Sequence, residues 1–423
     1  MENSKLKQSS VAVSKTRTLL DINPKYNYYM LLLVVFGGFL IFGLSENIKG
    51  PAIPIIQSDF KVSQTKLGML LALNSLGYLL ACSFTSAVAN KIGIRWTAIA
   101  AFLSMALAGY IIYLSSNYAF LSSSFFFLYI GNGMLEIGLG IMAARIFTKN
   151  TGTMMNLAHF FYGLSSTVAP IMAASMMGWH VFGGELGWRG MYFVVLAFSL
   201  LPIIPSLLGT FPAEAVEEGE MISFNSLIRD PIAWLIVAIL SFGVVSELAV
   251  GGWLVNFLVK AYRWDLKDSA NMLSLFFVFF MFARLLLGAV TDRIGFTLSI
   301  MIFSAFSGIC SFAAILIGEK GAILFAVSGI GIALIYPTVM ALLAKRYPKG
   351  TGTAITFTVT LMGIASVVGN FLIGFIIDFV NGLFKSEILG LQAGYGFIAA
   401  MALLCSICCY ILYVLLRKRN ELV

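Results

Sequence analysis

Polar positions are the exception along this chain. Long apolar runs follow one another, each near or above the roughly 20 residues a helix needs to cross a bilayer. Short polar breaks carrying Gly, Pro, Lys and Asp separate them. Hydropathy and breaks predict helices at 27–56, 64–89, 95–115, 119–147, 151–178, 189–211, 229–259, 267–291, 296–317, 321–344, 351–381 and 390–417. The expected fold class is an all-α membrane protein with twelve transmembrane helices. Almost nothing is left for a soluble domain. A tail at 1–26 precedes a first six-helix bundle at 27–211. A linker at 212–228, acidic through Glu214, Glu217, Glu218 and Glu220, leads to a second bundle at 229–417 and a short tail at 418–423.

Composition sharpens this. The chain is 60% hydrophobic and 11% charged, with mean hydropathy +0.94; a soluble domain would carry about a quarter charged residues. The net charge of +8 needs no nucleic acid to explain it. Of the 27 Lys and Arg, 17 fall in the tails and the even-numbered gaps and 9 on the opposite side, with Arg284 inside a helix. Lys/Arg excess marks cytoplasmic loops, so both termini are expected in the cytoplasm of a multi-pass protein of the cell membrane. The first apolar run is too long for a cleaved signal and serves as an uncleaved span. The five cysteines lie in apolar helices, and Cys405-Ser406-Ile407-Cys408 reads as packing. No metal, cofactor or nucleic-acid partner is expected, and the chain reads as a monomer in lipid.

The two halves echo one another at a shift near 200. Phe42-Gly43-Leu44-Ser45-Glu46 returns as Phe242-Gly243-Val244-Val245-Ser246-Glu247, and Thr151-Gly152-Thr153 as Thr351-Gly352-Thr353. The segment at 86–93 returns at 288–295. A six-helix unit repeated in one orientation gives two pseudo-symmetric bundles about an axis along the membrane normal, with substrate at midplane between them.

Ionisable residues inside apolar runs are functional candidates, because charge at membrane depth is costly. Glu136 stands mid-helix among Gly131, Gly133, Gly138 and Gly140, with Asn132 one turn earlier. Burial disfavours a charged carboxylate, as a site that gains and loses a proton requires. The alternative is a structural carboxylate locked to Arg145 or a backbone donor. Glu46 is a second protonation candidate, or an outer gate residue pairing with Lys49. Glu247 is its repeat partner. Gly251-Gly252 is expected to unwind helix 7 there, with Trp253 and Asn256 offering an aromatic face and an amide to a sugar. Asn156, His159 and Tyr162 recur at i, i+3 and i+6, a polar stripe aimed at the cavity. Asn74 and Tyr78 form an i, i+4 pair in helix 2; Thr356, Thr360 and Asn370 are weaker candidates. Asp378 reads as a helix-end residue. Arg284 reads as a brace of the cytoplasmic gate, with substrate binding the alternative. Asp292 is expected to face the helix 5 N-terminus at Thr151, where orphan N–H groups favour an anion. Asn90 would be a neutral version at Thr351, with Lys91 and Arg293 completing the gate.

Several motifs resemble known ones. Gly288-x-x-x-Asp292-Arg293-x-Gly295 is similar to the loop motif of the major facilitator superfamily; the first-half copy has Ser86 and Asn90 instead. Within it, Gly131-x-Gly133-x-x-Glu136, Asn156-Leu157-x-His159-x-Phe161-Tyr162-Gly163 and Ser246-Glu247…Gly252-Trp253-Leu254 resemble the fucose/galactose/glucose:proton symporter family, with Tyr336-Pro337-Thr338 adding a further match. The resemblance spans nearly the whole chain after the tail. It implies proton coupling, a sugar substrate, and the coupling carboxylates at Glu46 and Glu136; several relatives have an aspartate where Glu46 stands. The expected function is proton-coupled import of a small polar solute, a monosaccharide, by alternating access. A proton-driven exporter on the same fold is the alternative, and a non-transporting sensor or intramembrane enzyme a remote one. Motifs such as HExxH and GxSxG are absent, so no enzyme is expected.

Overall fold

The computed structural model describes residues 24–147, 151–181, 183–211 and 223–419. The expected tails before residue 24 and after residue 419, most of the linker, and the side chains of Asn156 and Asp292 lie outside the described residues, as do those at 151–153. The contact expected between Asp292 and the start of helix 5 therefore falls outside them too.

Among the described residues, twelve helical spans are long and apolar enough to cross a membrane. Spans 1 to 6 are Lys25–Phe60, Gln64–Ile92, Ile94–Tyr113, Tyr118–Ile146, Leu157–Met177 and Gly187–Leu208. Spans 7 to 12 are Pro231–Ala261, Leu266–Leu286, Phe296–Gly321, Ile323–Arg346, Thr351–Phe384 and Glu387–Lys418. They fall where hydropathy places them, to within a few residues. A two-residue hairpin, His180–Val181 paired with Gly184–Glu185, joins spans 5 and 6.

Proline sets the breaks. Span 1 is interrupted at Ile48, between helices Pro24–Asn47 and Lys49–Phe60. Pro51 has no N–H for the Asn47 carbonyl, and its ring crowds that turn. Span 10 is likewise broken into Ile323–Val327, Gly329–Ile332 and Ile335–Arg346 around Pro337. Span 7, by contrast, is one helix through Gly251-Gly252, which corrects the expected unwinding. Here the missing side chains serve close approach between helices: a Cβ on Gly50 would meet the Gly251 carbonyl oxygen at 2.9 Å. The backbone ladder of span 7 stays intact because glycine, unlike proline, keeps its N–H.

Between the bundles, span 2 packs along span 11, span 5 along span 8, and the second half of span 1 against span 7. The repeat carries span 2 to span 8 and span 5 to span 11, so the first two interfaces are images of each other. Closure is concentrated at one end, where spans 2 and 8 begin. Asn256 Nδ2 donates to Gln57 Oε1 at 3.3 Å and Gln64 Oε1 at 3.4 Å, and Asn370 Nδ2 to Ser75 Oγ at 3.1 Å. The Asp378 carboxylate accepts from the backbone N–H groups of Gln64 at 3.2 Å and Thr65 at 2.6 Å. A Cβ on Gly68 would stand 2.7 Å from the Asn370 carbonyl oxygen, so spans 2 and 11 approach backbone to backbone. Asp265 caps the start of span 8 from its own chain end, accepting from Asp268 N–H at 2.7 Å.

Candidate functional site

A cavity of about 140 Å³ lies between the bundles beside this closure. Three carboxylates line it, Glu46, Glu136 and Glu247, with two cations, Lys49 and Arg284. Aromatic walls come from Phe39, Phe42, Tyr78, Tyr129, Tyr162 and Tyr336.

Each carboxylate is held differently. Lys49 lies just past the span 1 break, and its Nζ reaches Glu46 and donates to the Tyr129 hydroxyl at 2.9 Å. Glu46 and Lys49 are 8% and 6% exposed, so this is a closed, buried pair. Glu247 Oε1 stands 3.8 Å from Arg284 Nη2, an ion pair too long for a hydrogen bond. Glu136 accepts from the Tyr78 hydroxyl. Among the described residues, Glu46 and Glu247 each have a cation partner, and Glu136 has a neutral phenol.

Arg284 is fixed through a break in another span. Pro337 cannot donate to the Ala333 carbonyl four residues earlier, which leaves that oxygen free. Arg284 Nε donates to it at 3.0 Å, and the guanidinium lies over the Phe280 ring, 4.2 Å from its centroid. Hydrogen bond and stacking together set the plane of the guanidinium, with one edge towards Glu247.

The structure brings Glu46, Asn74, Tyr78, Glu136, His159, Tyr162 and Glu247 to the cavity. His159 packs on Phe39, centroids 5.1 Å apart, and Tyr162 on Phe42 at 5.2 Å. Asn370 and Arg284 line it as well. Other candidates lie elsewhere. Asn132 is fully buried inside the first bundle, its Oδ1 accepting from Ser45 Oγ at 2.9 Å. Trp253 is buried among Phe257, Ile373 and Tyr395 beyond the cavity. Asn256 belongs to the closure. Asn90 and Lys91 are exposed at the far end of span 2, and Arg293 in the short helix Gly288–Ile294 that follows span 8. Sequence reasoning missed Tyr129, and it named Lys49 without the break that aims it. Gly50-Pro51 and Pro54 were the available signal for that break.

Two six-helix bundles of membrane-spanning length around a cavity with buried ionisable groups define a polytopic membrane carrier. The profile of the Major Facilitator Superfamily matches residues 35–322, and the chain belongs to that superfamily. "Bypass of stop codon protein 6" of Saccharomyces cerevisiae is 21% identical over 288 residues, 60% of this chain and 56% of that protein, so the match spans little more than half of the relative's length. Among solved structures, the chain is similar to a bacterial homologue of the human lysosomal transporter Spinster in an inward-facing, unoccupied conformation. The TM-score is 0.76 at 13% identity, covering 95% of this chain and 99% of the other. It is similar to a D-xylose–proton symporter (TM-score 0.73, 14% identity, 90% and 97% covered). It is also similar to the Escherichia coli fucose:proton symporter (TM-score 0.63, 16% identity, 91% and 99% covered). Likeness at such identities shows the fold.

Proposed function

We propose that this superfamily transporter is a proton-coupled importer of a monosaccharide, working by alternating access as a monomer in the cell membrane. The observation that carries the reading is the charge balance of the cavity. Three carboxylates face two cations, and among the described residues Glu136, hydrogen-bonded by the Tyr78 hydroxyl, is the one that forms no ion pair. One proton on Glu136 makes the cavity neutral, and loss of that proton restores a net negative charge. A carrier that crosses the membrane neutral and loaded, and resets after releasing the proton, couples solute to proton movement. The lining suits a sugar: aromatic faces for its C–H groups, and charged and amide groups for its hydroxyls.

With both termini cytoplasmic, the closed end is the outer one, and the conformation is open to the cytoplasm. The similarity to an inward-facing Spinster homologue supports this. In the outward-open state the outer latch would be broken and the loops near Asp292 and Asn90 brought together.

The test is uptake of labelled D-xylose, L-fucose, D-galactose and D-glucose by proteoliposomes, with and without an acid-outside gradient. At least one sugar is expected to accumulate above its equilibrium level, and a protonophore to abolish the accumulation. Equilibration alone for every sugar rejects proton coupling, and no entry of any sugar rejects the substrate.

A further inference from the structure

The two ion pairs in the cavity are repeat-related on their acidic side only. Glu46 and Glu247 occupy equivalent positions in the two halves. Glu46 is closed by Lys49 from its own span, with Tyr129 taking a further ammonium proton. Glu247 has its cation on a neighbouring span, and the pair stands open at 3.8 Å. Arg284 cannot swing to close it without giving up the Ala333 carbonyl and the Phe280 ring. Each partner keeps unused hydrogen-bonding capacity on the cavity side: acceptor lone pairs on Glu247, N–H donors on Arg284.

A group bridging them from the cavity side has to donate to Glu247 and accept from Arg284. A lone anion is repelled by the carboxylate and a lone cation by the guanidinium. A hydroxyl donates one proton and accepts through its lone pairs, and two on adjacent ring carbons meet both sides at once. We propose that Glu247 and Arg284 form a clamp for a vicinal diol and set the specificity of the carrier for neutral polyhydroxyl solutes over uronates and amino sugars. This rests on the monosaccharide reading and adds to it which residues choose among sugars. Pro337 acts through Arg284 as a positioning residue.

Binding to the purified protein tests the clamp without relying on transport. D-xylose, L-fucose, D-galactose and D-glucose are titrated by calorimetry. The tightest binder is followed by its monodeoxy derivatives and by its uronate and amino analogues, against wild type, Glu247→Gln and Arg284→Lys. In wild type, deleting either hydroxyl of one adjacent pair is expected to weaken binding at least about tenfold. That penalty shrinks to about twofold in both variants, while deletions elsewhere on the ring cost the same in all three proteins. Arg284→Lys keeps the charge but loses the planar fork, so its effect separates geometry from electrostatics. Equal deoxygenation penalties in wild type and variants overturn the clamp and leave the sugar reading standing. So does tighter binding of the uronate or amino sugar than of the neutral parent. Absence of binding by every neutral sugar overturns both together.

Discussion

Asp378 of one bundle accepts a 2.6 Å hydrogen bond from the backbone N–H of Thr65, at the start of span 2 in the other. The neighbouring Gln64 N–H reaches its second oxygen. A carboxylate facing the orphan donors and positive end of a helix gains about 0.3–2 kcal/mol. It keeps that gain only while the two bundles touch here. Asp378→Asn is therefore expected to shift the balance towards the state open at this end, about tenfold for each 1.4 kcal/mol lost. Maleimide labelling of a Ser366→Cys probe, applied from the outer side, measures it. Unchanged labelling would leave Asp378 as a helix-end residue without a part in closure.

Glu136→Gln is expected to abolish uphill, gradient-driven uptake while leaving sugar exchange partly intact. Tyr78→Phe removes the donor to Glu136 but keeps the titrating group, so accumulation is expected to fall several-fold and not to vanish. Exchange and accumulation assays run side by side on each variant check this. Concentrative uptake by Glu136→Gln at the wild-type level would remove that residue from coupling.

The Lys49–Glu46 pair makes a stability prediction. Both partners are buried, and removing one leaves the other as an uncompensated charge, a loss of about 3–5 kcal/mol for such pairs. Lys49→Met is expected to lower the melting temperature in detergent markedly, and the double variant Glu46→Gln/Lys49→Met to recover much of it. A double variant no more stable than Lys49→Met would mean that the pair is held by something besides charge.

Pro337→Ala restores an N–H that can bind the Ala333 carbonyl and compete with Arg284. Weaker sugar binding is expected, by less than in Arg284→Lys, with little change in expression. The comparison of the two affinities by calorimetry decides whether the freed carbonyl positions the guanidinium.

The spans were legible because burial in lipid dictates apolar runs of fixed length, and their ends follow Gly, Pro and charge. Cavity residues were legible where cost made them visible: Glu46, Glu136, Glu247, and the polar stripe carrying His159 and Tyr162. Facing was less legible. Four residues exceed one helical turn by about 40°, enough to turn Asn132 into its own bundle while Glu136 meets the cavity. Trp253 and Asn256 lie more than a turn beyond Glu247, where the gap between bundles has already closed. Arg284 was judged by its nearness to Asp292 along the chain, but the helix that carries it ends at Leu286, before the helix that carries Asp292. Its partners, Ala333 and Glu247, belong to two other spans, and no local pattern names them.

The two ends of span 2 and span 8 that meet the closure between the bundles are wired unequally. Span 8 carries its own cap in Asp265 and loses nothing when the bundles part. Span 2 has Ser63 for one of its N–H groups and borrows Asp378 for two more. Of these two helix ends, only that of span 2 has backbone donors stranded when the bundles part. A duplicated chain whose halves share one architecture thus has a fastened edge and a free edge. The Asp378 contact opposes parting at the fastened edge, and the self-capped start of span 8 adds no such contact at the other.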